Sequence, residues 1–293
     1  MTGPRTEALH DRALGLDARP LIEAALLLAE GQIAAAACVK DAAIVAAASV
    51  MADTIRCGGR LHYAAAGSSG LMAAADAQEL GGTFSIPAAQ VRLHMAGGLP
   101  TGVEMPGDTE DDTSGLTAAS LGLSSHDIVV AVSASGTTPY TVAIADIARS
   151  VGATVVGIAN NPGSTLLDIA DYPILLATPP EVLSGSTRMG AGTAQKIALN
   201  MLSTLMAIQL GHVHDGMMVN LRADNAKLRE RAAGMVRLIA GVGKDEAGAA
   251  LEKANGDVKV AVLVAAQSAS PDKARKTLEE SKGNLRAALA RGN

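Results

Sequence analysis

Asp127-Ile-Val-Val-Ala-Val-Ser133-Ala-Ser135-Gly136-Thr137-Thr138-Pro139 decides how the chain folds. A continuous apolar run of strand length ends in a Ser/Gly/Thr turn, and a helical run then continues to Ser150. An uninterrupted apolar strand is one buried on both faces, as strands of parallel sheets are. The same pattern recurs on both sides. Upstream, Arg60-Leu-His-Tyr-Ala-Ala-Ala-Gly67 runs into Ser68-Ser69-Gly70, and Val91–Met95 runs into Ala96-Gly-Gly98. Downstream, Thr154–Ala159 runs into Asn160-Asn-Pro-Gly163, and Pro173–Ala177 closes the series. Strands of this kind alternating with helical segments predict an α/β fold of three layers: a five-stranded parallel sheet flanked by helices.

The helical segments are read in the same way. Residues 20–56 predict helix, with a break at Glu30–Gly31, a stop at Cys57-Gly-Gly59, and an apolar stripe of Leu21, Ile22, Ala25, Leu26, Leu28 and Ala29. Ala191–Leu210 predicts a long helix, and Met217–Ala240 a further helical stretch with a charged face. Beyond a linker at Gly241–Lys244, Leu251-Glu252 followed by Asn255-Gly-Asp-Val-Lys259 returns as Leu278-Glu279 followed by Lys282-Gly-Asn-Leu-Arg286. Each copy predicts a short helix, a glycine cap and a second helix. The division expected is therefore 1–240 for the α/β domain and 241–293 for a small helical module. That module resembles ubiquitin-associated (UBA-like) helical modules and is read as a packing or dimerisation appendage.

Composition limits the function. Of 293 residues 58 are Ala and 31 Gly, there is no Trp and one Phe, and 48% are apolar at a net charge of −5. That apolar content excludes disorder as the main state. The acidic balance and the scarcity of aromatic platforms exclude a base-stacking nucleic-acid binder. Cys38 and Cys57 lack disulfide, metal or redox spacing and read as small buried residues of a reducing compartment. The six histidines show no metal spacing, so no metal is expected. Residues 1–20 carry no apolar leader core, and the apolar runs fall short of the roughly 18–20 residues of a membrane span. The expectation is a cytoplasmic protein without membrane or nucleic-acid partners.

Three Ser/Thr/Gly-rich loops stand where such a sheet binds ligands. They hold Gly67, Ser68 and Ser69; Ser133, Ser135, Gly136 and Thr138; and Ser184, Ser186, Thr187 and Arg188. Unpaired N–H groups and the dipole at a helix start favour anions, phosphate among them. Parallel sheets bind ligands at the carboxyl ends of their strands. One such loop can be a mere helix cap; three at one sheet edge predict a phosphate cradle. None is a Walker A or a GxGxxG loop.

Ser133-x-Ser135-Gly136-x-Thr138 resembles the phosphosugar loop of sugar isomerase (SIS) domains. More narrowly, four stretches are similar to the N-acetylmuramic acid 6-phosphate etherase family. They are Gly58–Gly70, Asp76-Ala-Gln-Glu79, Ser135-Gly-Thr-Thr-Pro-Tyr140, and Glu181-Val-Leu-Ser-Gly-Ser-Thr-Arg-Met-Gly-Ala-Gly-Thr-Ala-Gln-Lys196 with Leu199–Thr204. The resemblance implies a SIS fold, a homodimer and a cofactor-free carbon–oxygen lyase. The substrate it implies is a sugar phosphate whose D-lactyl ether is cleaved to N-acetylglucosamine 6-phosphate and D-lactate. It places the two catalytic carboxylates on Glu79, the acid at the ether oxygen, and Glu110, the C2 base. Three basic residues of the pattern are replaced here by Leu71, Thr137 and Gly190, while Arg188 and Lys196 stay. The early Thr-Glu-x-x-Asn motif reads Thr6-Glu-Ala-Leu-His10. The chain is thus identified as a divergent member. Two other readings are carried. Glu181 opens a stretch similar to the isomerase domain of glucosamine-6-phosphate synthase, which implies an isomerase base. A non-catalytic phosphosugar-binding regulator is the third.

Overall fold

In the computed structural model, which describes residues 4–291, the five expected strand segments are strands. They are β1 Leu61–Ala65, β2 Val91–Met95, β3 Ile128–Ser133, β4 Thr154–Ala159 and β5 Tyr172–Leu175. All pair in parallel, in the order β2-β1-β3-β4-β5. The helices are α1 Leu21–Ala36, α2 Asp41–Arg56, α3 Gly67–Phe84, α4 Ala118–Leu121, α5 Pro139–Ser150, α6 Thr165–Ile169 and α7 Gly190–Gln209. Then come α8 Ala226–Ala240, α9 Lys244–Lys253, α10 Val258–Gln267, α11 Pro271–Glu280 and α12 Leu285–Ala290. The expected three-layer α/β fold is present. Every residue of β1 and β3 is buried, so both faces of the sheet are covered. Ala64, Val129, Ala131 and Val155 share one core with Ile144, Ala145 and Ala148 of α5 and Leu166 of α6. The alternate strand positions Tyr63, Val130 and Val156 are buried as completely. Small side chains let these layers approach closely, which is where the alanine content goes.

Several local expectations change. The break expected at Glu30–Gly31 falls instead at 37–40, and α1 runs through Gly31. A Cβ there would lie 3.2 Å from Val182 Cγ2, so this glycine serves a close contact. The stripe of α1 points outward: Leu21, Ile22 and Leu26 are exposed and Leu27 is buried. Residues 217–225 are irregular rather than helical, and α8 starts where the Asn225 side chain accepts from Leu228 N. Cys57 is exposed, not buried. Cys38 is half-buried and donates its thiol to Ala177 O.

The described residues divide into two compact units. One holds those up to Ala77 together with Ala88–Ser203, and so the whole sheet. The other holds Gln78–Pro87 and the described residues from Thr204 on. In this second unit Ala232, Met235 and Val236 of α8 share a core with α9 to α12, so this core extends to the N-terminal side of residue 240. The two sequence copies have matching geometry. Asn255-Gly256 and Lys282-Gly283 both turn through positive φ, and Asp257 and Asn284 then cap α10 and α12. Lys259 is buried and donates Nζ to Gly283 O (3.1 Å). Among the described residues, no helix is long and apolar enough to cross a membrane.

Candidate active site

The strand order reverses between β1 and β3, because β2 lies on one side of this pair and β4 and β5 on the other. Ligands of open parallel sheets bind outside the carboxyl ends at such a switch point. Two of the expected loops leave these two strands. After β1 the chain enters α3 through Gly67, Ser68 and Ser69, with Ser69 buried. Gly67 has φ +52°, a conformation that costs a side-chain residue energy, and a Cβ on it would collide with Glu110 Oε1. The Glu110 carboxylate therefore rests on the first residue of α3, where the N–H groups of a helix start are unpaired. Glu110 itself sits in a short 3₁₀ turn, Thr109–Asp111, and is half-buried.

After β3 the loop is wired by its own hydroxyls. Ser133 Oγ lies 2.8 Å from Thr138 Oγ1 and 3.2 Å from Ser135 Oγ. Gly136 N donates to Ser133 Oγ (3.0 Å) and Thr137 N to Ser135 Oγ (3.2 Å). Gly136 turns at φ +72°, and a Cβ there would run into Ser164 Oγ. Pro139 then opens α5, a position whose missing N–H costs nothing.

The third loop behaves differently. Ser184 Oγ donates to Glu7 O (3.2 Å). Ser186 and Thr187 are half-buried in the turn that leads to α7, and Arg188 is exposed. Glu181 is buried, and its two oxygens accept Gly190 N (2.9 Å) and Ala191 N (2.8 Å). It caps α7, with both oxygens engaged. Gly190 is packed against it: a Cβ would stand 3.0 Å from Glu181 Oε2 and 3.2 Å from Ala35 Cβ.

The Asp76–Glu79 motif splits. Asp76 points inward and accepts Tyr63 OH (2.9 Å), Asn200 Nδ2 (2.9 Å) and Ser203 Oγ (2.8 Å). Burial, together with the Asp76 carboxylate, holds the Tyr63 phenol well above its usual range. Lys196 Nζ donates to Asn200 Oδ1 (2.6 Å) and so joins this network. Glu79 is exposed, further along the sequence of α3. Of the expected residues, the structure thus brings Glu110 to Gly67 and knits Ser133, Ser135, Gly136 and Thr138 together.

Sequence reasoning met Thr6 in the early Thr6–His10 motif and Asn161 in the Asn160–Gly163 turn but gave neither a role. Thr6 is buried, and it exchanges hydrogen bonds with Asn161, which also reaches Ser135 O (3.3 Å). Nothing in a polar N-terminal segment marks such a contact across 155 residues. Only its place in the Thr-Glu-x-x-Asn pattern hinted at it.

The profile of SIS domains matches residues 29–160, and a second SIS-domain profile matches residues 111–210. The N-acetylmuramic acid 6-phosphate etherase of Deinococcus radiodurans is 40% identical, with 100% of this chain and 97% of that protein covered. That of Rubrobacter xylanophilus is 42% identical over 85% of this chain and 83% of its own. The chain belongs to the N-acetylmuramic acid 6-phosphate etherase family. Its fold is also similar to that of a Bacteroides fragilis protein described as a phosphosugar isomerase involved in capsule formation. The TM-score is 0.52 at 22% identity, over 67% of this chain and 95% of that one. Within the etherase family, Leu71, Thr137 and Gly190 now have structural addresses. Leu71 is one turn into α3 and partly exposed, Thr137 is at the exposed tip of the loop after β3, and Gly190 lies under the Glu181 cap.

Proposed function

We propose that this chain is a cofactor-free lyase that cleaves the D-lactyl ether of N-acetylmuramic acid 6-phosphate, giving N-acetylglucosamine 6-phosphate and D-lactate. The observation that carries this reading beyond family membership is the Glu110 carboxylate resting on Gly67 beside the switch point. The Ser133–Thr138 loop and the start of α3 take the phosphate through hydroxyls and amides, with Arg188 as the cation of the third loop. Ring opening exposes an aldehyde at C1, which acidifies the C2 proton. Glu110 removes that proton, the C3–O bond breaks, and Glu79 protonates the departing lactate oxygen. Water then adds at C3 of the unsaturated aldehyde. A paired base and acid suffice for this sequence.

A homodimer in which each site draws the two carboxylates from different copies is part of the proposal. The exposed apolar residues of α1 support a second copy as its partner. The cytoplasmic location and a packing role for helices beyond residue 240 belong to the same reading. The test is D-lactate release from N-acetylmuramic acid 6-phosphate, abolished by Glu79→Gln and by Glu110→Gln. A second reading, an isomerase using Glu181, predicts hexose phosphate interconversion without lactate. The capping of α7 by both Glu181 oxygens argues against it.

A further inference from the structure

The turn after β4 holds the loop after β3 from behind. Asn160 N donates to Ala134 O (3.1 Å), Asn161 Nδ2 to Ser135 O (3.3 Å), and Leu166 N to Gly136 O (2.9 Å). Three consecutive loop carbonyls are tied to this turn and to the start of α6 that follows it. Two of the ties are backbone. The middle one is a side-chain amide, whose orientation has to be set by something else. Thr6 sets it: Thr6 N donates to Asn161 Oδ1 (3.2 Å), and Asn161 Nδ2 donates to Thr6 Oγ1 (3.0 Å). Both residues are more than nine-tenths buried. With Oδ1 held by an N–H, the NH2 group has to face Ser135. The same N-terminal segment meets the third loop, through Ser184 Oγ on Glu7 O, and Glu7 Oε2 would lie 3.3 Å from a Cβ on Gly185.

We propose that Thr6 and Asn161 are positioning residues, and that the segment Thr6–Ala8 is a strap that holds the Ser133–Thr138 loop in its phosphate-binding geometry. The inference rests on the reading that this loop takes the substrate phosphate. A loop ordered before binding loses less conformational freedom when the phosphate arrives, so its strap contributes affinity. The phosphate on C6 is remote from the C2 proton and the C3 ether. Its hold is the same in the ground and transition states, and losing it raises KM while leaving kcat in place.

The test uses the full chain with N-acetylmuramic acid 6-phosphate and follows D-lactate. Thr6→Val removes the hydroxyl at nearly constant shape, and Asn161→Asp sets a carboxylate oxygen against Ser135 O. Each is expected to raise KM about five- to tenfold with kcat within about twofold, as loss of one or two hydrogen bonds would. Thr6→Ser restores KM. Thermal melting of each variant is measured alongside. Wild-type KM in both variants overturns the strap. So does a fall in kcat that tracks a fall in melting temperature, which is the signature of general destabilisation. A wild-type chain that releases no D-lactate overturns the reading of the site itself; an active wild type with unaffected variants overturns the strap alone.

Discussion

Two carboxylates in this molecule stand at the starts of long helices, Glu110 at α3 and Glu181 at α7. Glu181 is buried and bonded through both oxygens to Gly190 N and Ala191 N. Glu110 rests on Gly67, half-buried, with no hydrogen bond or ion pair to another described residue. A helix start stabilises a carboxylate in either place. The difference lies in what each group has left to give. A cap with both oxygens engaged has to break its bonds before it can take a proton from a substrate, whereas a carboxylate held only by packing at the mouth of a switch point is free to do so. The same motif of charge and dipole thus closes the carboxylate at α7 and leaves the one at α3 open to the proton transfer proposed for it.

The largest effect is expected at Glu110. Glu110→Gln is expected to lower kcat for D-lactate release about 10³-fold, in line with loss of a general base. Glu181→Gln is expected to leave the folded enzyme active to within about tenfold. The reverse ranking would exchange the two roles. Mixing the inactive Glu79→Gln and Glu110→Gln chains tests where the two carboxylates of one site come from. If one site takes its carboxylates from two copies, random re-pairing restores about a quarter of wild-type activity. Recovery no greater than the sum of the two variants places both glutamates in one chain.

The third test concerns β1, the strand that delivers the chain to α3. His62 on β1 is fully buried, with Nδ1 2.9 Å from His94 Nε2. Burial above all, then His94, Arg60 and Arg92, lower its pKa to about 4, against a smaller opposing pull from Asp127. The folded pKa lies below the unfolded value, so this contribution to stability is complete above about pH 6.5 and is lost as pH falls through about 4. Chemical unfolding across that window should show a loss of up to about 3 kcal/mol that His62→Gln flattens. An unchanged slope in the variant would remove His62 from the acid limit. The smallest effect belongs to the α7 cap. Glu181→Gln should cost about 2 kcal/mol and lower Tm by about 4–8 °C. A Tm equal to wild type would mean that the two hydrogen bonds contribute nothing to stability.

Much of the architecture was legible in the residues. The strands β3 and β4 stand where uninterrupted apolar runs end in polar turns, because strands covered on both faces lack polar alternation, whereas the edge strand β2 carries Arg92 and His94 and is only partly buried. The 27-residue repeat reads directly as matching turns at Asn255-Gly256 and Lys282-Gly283, since glycine and cap residues act locally. The apolar side of α1 was legible as a stripe and not as a direction. Leu21 and Leu26 look like core residues until the packing leaves them outside. Gly31 reads as a helix breaker, although here it answers a contact with Val182 far along the chain.

The site divides along the same line. Sequence alone determined the fold class, the hydroxyl-rich loops and the family, because periodicity, turn chemistry and motif spacing are local properties carried by consecutive residues. It also named Glu110 as the C2 base and Glu181 as the alternative base. Only the tertiary structure separated them, by setting one carboxylate on Gly67 and closing the other with two amides. Only the tertiary structure, too, joined Thr6 to Asn161 and Asn161 to the loop after β3. Hydrogen-bond partners are chosen by where the folded chain brings donors and acceptors together, and a separation of 155 residues leaves no trace of that choice in the sequence.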